Sequence, residues 1–244
     1  MVTLRVVKEG IVTPRQYVVV AVGLAALTVS ACTTVTPSLA PEVEARAVMI
    51  PMKGVNGLRG RFTTATLDGR EVTGTYRGSG TRTTWFETES RGVFRTEFDI
   101  EAPGQAAVRS RCRAEVQDSN IPFTKLSVQV TPMTYACAFT EGKAVVGGLQ
   151  LFDTGAPVPL TDREAGLTWK GREYVLISEH EDRETGLVLD RPLGFSIYRG
   201  ETAVGGVNTA GERTLYIMPD ADADEEAAVR AAGLALALLS DPSR

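Results

Sequence analysis

From Ala231 to Leu239 the chain holds only apolar residues and glycine, so a helix built from this stretch has no polar side to turn toward water. Asp222 and Glu225 stand just before it at capping-box spacing, and Asp224, Glu225 and Glu226 suit the positive end of a helix dipole. The spacing predicts a helix over 224–239. It must be surrounded by protein or lie in a membrane interface. An interfacial helix carries Lys or Arg along a polar face, and only Arg230 is on offer, so burial inside the domain is the expectation. Leu234, Leu236, Leu238 and Leu239 would each contribute about 1.5–3 kcal/mol if fully enclosed.

What can enclose it is written upstream. Turn signals recur at Asp68-Gly69, Gly78-Ser79-Gly80, Pro103-Gly104, Glu141-Gly142, Thr154-Gly155, Lys170-Gly171 and Gly200-Glu201. Between them apolar and polar residues alternate over Arg61 to Leu67, Glu71 to Tyr76, Thr83 to Phe86, Val93 to Ile100, Leu126 to Thr131 and Glu173 to Ser178. Short strands at this spacing predict a mainly β fold: an antiparallel barrel or sandwich with one hydrophobic C-terminal helix, enclosed by the barrel. Asp68-Gly69 reads as a type I′ hairpin turn. Phe139 to Leu149 is similar to Tyr198 to Val207, each a hairpin ending in two glycines, where a strand can bulge or another backbone can come close.

The N-terminus carries an address. Arg5, Lys8 and Arg15 precede an uncharged stretch from Tyr17 to Val29, too short for a comfortable membrane span. Val29-Ser30-Ala31-Cys32 then resembles the lipobox of bacterial lipoprotein precursors. The resemblance implies that residues 1–31 are a signal peptide and that Cys32 is the lipidated first residue of the mature chain. A plain secretory signal cut near Ala31, or an uncleaved anchor, is the alternative. Thr33, where retained lipoproteins of this kind carry aspartate, implies attachment to the outer membrane on its periplasmic face. Residues 32–54 read as a tether, extended around Pro37 and Pro41, and residues 55–241 as a single β-rich domain.

Three cysteines are present. With Cys32 acylated, Cys112 and Cys137 remain as a candidate disulfide in an oxidising compartment. Alternation places Val108, Ser110, Cys112, Ala114 and Val116 on one strand face, with Arg109, Arg111, Arg113 and Glu115 on the other; Tyr135, Cys137 and Phe139 likewise share a face. Both thiols therefore point coreward. Two unpaired buried cysteines are the other possibility.

Loss of the leader changes the formal net charge from −4 to −6. Such a balance, with no Lys/Arg cluster in the sequence to offset it, argues against nucleic acid as a partner. His180, the only histidine, lies in Glu179-His180-Glu181-Asp182-Arg183-Glu184 and reads as a solvated turn, without a nucleophile signature. Asp220, Asp222 and Asp224 begin like an EF-hand loop, yet Glu225 stands where glycine is required and Ala231 where the final glutamate is, so helix capping explains them better. No zinc spacing or phosphate-binding glycine loop occurs, and no cofactor is expected. Arg and Glu on the strands read as guards against edge pairing.

Gly194 to Val207, Thr214 to Met218 and the helix from Ala227 to Leu239 together resemble the tubby C-terminal-like superfamily, which includes the LURP-one-related and phospholipid scramblase families. The resemblance covers about Val93 to Leu239 and implies a closed antiparallel barrel around a hydrophobic helix. It implies no site, because tubby domains bind phosphoinositide headgroups through a basic cluster and this chain has no such cluster to carry over. The expected function is a non-enzymatic envelope lipoprotein, joined to the membrane by its lipid and binding another protein or envelope component. A lipocalin-like carrier of an apolar ligand is the alternative, although Gly57 to Phe62 lacks the Gly-x-Trp signature of that class. A hydrolase using His180 is a third.

Overall fold

The computed structural model describes residues 35–85, 89–120, 127–153 and 163–239. Cys32, the leader, Thr154-Gly155, and the strand ends expected at Phe86 and Leu126 lie outside these. Twelve strands form one sheet: β1 (Val48–Pro51), β2 (Arg59–Ala65), β3 (Glu71–Trp85), β4 (Glu89–Ile100), β5 (Val108–Asn120), β6 (Ser127–Glu141), β7 (Ala144–Asp153), β8 (Arg163–Trp169), β9 (Arg172–Glu179), β10 (Gly194–Arg199), β11 (Thr202–Asn208) and β12 (Thr214–Ile217). From β2 to β12 each strand pairs antiparallel with the next, and β1 adds to the far side of β12. The edges β1 and β2 meet through reciprocal backbone bonds, Lys53 N–H to the Thr63 carbonyl at 2.9 Å and Thr63 N–H to the Lys53 carbonyl at 3.0 Å. The sheet is thus a nearly closed barrel, which removes most of its unpaired edge.

The apolar helix lies inside. Helix α2, Ala223–Ala237, shares one core cluster with side chains from all twelve strands, and Ala228, Val229, Ala231, Ala232, Leu234 and Ala235 are wholly buried. Seven of its fifteen residues are alanine, which makes it slim enough for the lumen. Gly233 is needed for that fit, since a Cβ there would come within 2.1 Å of the Leu215 side chain. Tyr135 donates a hydrogen bond to the Ala235 carbonyl at 2.8 Å, tying β6 to the helix end, and burial pushes its phenol far above the ordinary range. At the other end the Asp222 carboxylate caps the helix, accepting from the N–H groups of Asp224 and Glu225. Glu225 does not complete the capping box; it turns to Arg199, 3.2 Å away. Arg230 is buried rather than solvated and pairs with Glu226 one turn earlier, whose carboxylate also accepts the Leu67 N–H.

Several expectations change. Residues 35–54 are not a free tether. Helix α1, Pro41–Arg46, buries Val43, and with Leu39 and Ala40 it packs over Ala203, Tyr216 and Met218 on the outside of β11 and β12. Gly78-Ser79-Gly80 is no turn but the middle of β3, because the Phe94 ring of β4 lies where Cβ atoms would stand, at 3.0 Å for Gly78 and 2.7 Å for Gly80. The Asp68-Gly69 hairpin forms with positive φ at Gly69 alone, so its turn is not type I′. That pattern occurs at Lys170-Gly171, with φ of 46° and 80° between β8 and β9. The two similar segments, Phe139–Leu149 and Tyr198–Val207, do share a geometry. Both hairpins shift register at the valine before the glycine pair, Val146 and Val204, and a Cβ on Gly147 or Gly205 would strike a carbonyl of the next strand at 2.4 or 2.5 Å.

Two substitutions test the enclosed helix. Leu234→Ala should lower unfolding stability by about 2–5 kcal/mol in denaturant titration, the range for a buried leucine that leaves a cavity. Leu236→Glu should prevent a cooperative transition, because an unpaired carboxylate would stand in the core.

Candidate functional site

Strand alternation sends every second side chain of β2 to β5 outward, and the register decides which of these meet. Arg59 lies opposite Arg77, Arg77 opposite Glu97, and Glu97 opposite Arg111. One step along, Arg95 lies directly opposite Arg113. Asp99 lies opposite Arg109, Arg61 opposite Thr75, and Arg91 opposite Gln117. Glu115 stands between these rows. Among the described residues eight arginines thus share one outer wall with four carboxylates, Glu71, Glu97, Asp99 and Glu115, a surplus of four positive charges on a chain whose formal net charge is −4.

The carboxylates do not neutralise the wall. Glu97 is held by Arg77 at 2.5 Å and lies 3.8 Å from Arg111; Glu115 bonds Arg113 at 2.9 Å and also pairs with Arg91. Asp99 accepts from the Thr75 hydroxyl at 2.5 Å instead of from an arginine. Arg59, Arg61, Arg95 and Arg109 make no ion pair among the described residues. Two like-charged pairs, Arg59–Arg77 and Arg95–Arg113, sit directly across strand neighbours, an arrangement that opposes folding. A cleft of about 360 Å³ opens on this wall, lined among others by Thr75, Arg77, Glu97, Asp99, Arg109 and Arg111. Chemically, the wall offers forked donors to carboxylate, phosphate or sulfate groups.

The arginines also set the wall's response to pH. The Arg77 hydrogen bond holds the Glu97 carboxyl below its ordinary value, as the Arg113 hydrogen bond does for Glu115. Both acids stay ionised until pH falls below the usual glutamate range. The support they give the fold is present above that range and fades as pH drops through their lowered values, while the positive surplus grows.

The residues singled out by sequence fall as follows. Cys32 lies outside the described residues. Cys112 and Cys137 form a disulfide across directly paired positions of β5 and β6, with Cα atoms 4.0 Å apart, both facing the core. His180 is buried, not a solvated turn. One ring nitrogen meets the Leu189 carbonyl at 3.0 Å and the other the Ser178 hydroxyl at 3.2 Å, so it clamps the β9–β10 loop to β9. Asp222 caps α2 and bonds Arg172 at 2.7 Å, and Asp224 bonds Lys170. No three His, Cys, Asp or Glu side chains gather as a metal site among the described residues.

Sequence reading missed the wall, taking these charges as edge guards. The signal was the alternating Arg109, Arg111 and Arg113, but only the strand order shows that Arg59, Arg77 and Arg95 stand beside them.

Three outcomes follow. Arg95→Glu should stabilise the fold by roughly 0.2–1 kcal/mol in denaturant titration, by converting a like-charge pair into an ion pair, and should weaken anion binding. Affinity for polyphosphate, whose internal phosphates stay ionised, should stay flat between about pH 5 and 8 and rise only in stronger acid, as read by titration calorimetry. Cys112→Ala combined with Cys137→Ala should destabilise by up to about 3.5 kcal/mol, the chain-entropy value for a loop of this length. Compared with family models, with curated proteins and with solved structures, the chain matches none.

Proposed function

We propose that this chain is a non-enzymatic, periplasm-facing lipoprotein of the outer membrane, anchored through Cys32, whose arginine wall holds an acidic protein or another acidic envelope component. The observation that carries the binding role is the wall itself. Eight arginines on four adjacent strands, two pairs of them set against each other, lower the stability of the barrel and gain purpose from an anionic partner. The lipobox and the disulfide support the compartment. The helix enclosed by a barrel supports kinship with the tubby-like superfamily. It also weighs against the lipocalin-like carrier, because α2 stands where an apolar ligand would. For a hydrolase, Ser178 and His180 are in contact among the described residues; the other ring nitrogen meets a backbone carbonyl, and neither residue lines the arginine-wall cleft.

Two experiments test the two halves of this reading. The full chain should be retained on immobilised polyphosphate and poly-aspartate and should elute with salt. Arg95→Glu with Arg111→Glu should abolish retention, whereas Lys143→Glu with Arg191→Glu, equal in charge change but away from the wall, should preserve it. Equal loss from both pairs would show a net-charge effect and remove the wall as a site. Separately, Cys32→Ser should release the protein from membranes and eliminate the acyl mass.

A further inference from the structure

Past the wall the outer face of the barrel continues onto β6 to β9, and its character changes. Paired positions run in one row from Arg113 through Ala136, Gln150 and Gly166 to Val175, and in the next from Glu115 through Thr134, Phe152 and Glu164 to Ile177. Phe152, Val175 and Ile177 are large apolar side chains left 46%, 47% and 43% exposed. Gly166 stands beside Val175 in mid-strand, with no atom within 4 Å of where its Cβ would be and with φ outside the left-handed region, so nothing inside the barrel calls for glycine there. A glycine so placed weakens its strand and marks where another backbone comes close. The same barrel shows such a place filled. On β11 a Cβ at Gly206 would press on the Leu39 side chain and the Phe195 carbonyl, each at 3.0 Å, and the covering chain runs on into α1, which buries Val43 and carries Glu42 and Glu44.

We propose that the face over β5 to β9 seats an acidic amphipathic helix of a partner protein, its apolar stripe on Phe152, Val175 and Ile177 and its carboxylates on Arg109, Arg111 and Arg113. The proposal deepens the reading of the wall as an acid-binding surface and rests on it. Strands β6 to β8 are paired on both sides, so no added strand can join here and the occupant engages through side chains. Along the sheet, β5 and β9 stand four inter-strand steps apart, about 19 Å, room for one helix about 10–12 Å across. Charge changes sign over that width, from Arg111 and Arg113 on β5 to Glu164 and Glu173 on β8 and β9, so the occupant turns its acids toward β5. Arg109 makes no ion pair among the described residues and Arg111 approaches Glu97 only to 3.8 Å, which leaves forked donors for those acids.

The test uses the full chain and a fluorescent designed peptide of about 18 residues, long enough to be helical alone, with a leucine stripe flanked by glutamate on one side and glutamine on the other. Its scrambled twin keeps the composition and loses the stripe. In anisotropy titrations the striped peptide should bind about tenfold tighter than the scrambled one, or more. Val175→Thr with Ile177→Thr should erase that preference. Gly166→Tyr should erase it too, while raising the unfolding midpoint, since a strand-favouring side chain replaces glycine and stands in the seat. Both variants should leave retention on poly-aspartate unchanged. Equal affinity for the two peptides, with poly-aspartate still retained, would overturn the helix seat alone. Failure of the wild-type chain to retain poly-aspartate would overturn the wall, and the seat with it. Sedimentation as a dimer that Val175→Thr with Ile177→Thr separates would assign the face to a second copy and overturn the partner helix.

Discussion

Burial of an unrelievedly apolar helix is the constraint on which the rest of this structure depends. A helix with no polar side has to be covered all round, and a single closed sheet can cover it without a second layer of helices. Closure in turn needs the two edge strands to meet, which the Lys53–Thr63 bonds accomplish. Burial extends to the ends of the helix. Tyr135 satisfies a carbonyl near its C-terminus, Asp222 its first N–H groups, and the buried Arg230–Glu226 pair ties its second turn to the Leu67 backbone. Breaking that pair would leave a charge uncompensated in the lumen, a change that typically costs about 3–5 kcal/mol.

Because α2 fills the lumen, the surface left for contact with other molecules is the outside of the barrel. The outer surface is not uniform. Over β10 to β12 it is covered by the segment from Thr36 to Arg46, which fills the polar and apolar groups there; Ala40 N–H, for instance, bonds the Ser196 hydroxyl at 2.9 Å. Over β2 to β5 it is bare and basic. A wall that sets arginine against arginine sacrifices some stability, a pattern more readily understood as binding than as folding.

The fold class was legible because its two determinants are local: strand alternation and a terminal stretch without polar residues. The facing cysteines were legible for the same reason, since alternation alone turned Cys112 and Cys137 inward. Features that depend on neighbours were not. Gly78 and Gly80 look like a turn until Phe94 of the next strand is laid across them, and the wall is invisible until the register places Arg95 against Arg113. Residues 35–54 misled because their prolines suggested extension, while the apolar Leu39, Ala40 and Val43 supplied a docking face. His180 looked solvated among acids, but Leu189 and Ser178 draw it into the fold.

The most direct test of the enclosed helix is native-state hydrogen exchange resolved to single amides. If the sheet closes around α2, the amides of Ala231 to Leu236 exchange only through global unfolding, with opening free energies equal to those of the central strands β6 to β9. Rapid exchange of the helix while those strands stay protected would show a rod that leaves the barrel without unfolding it, and would contradict the account.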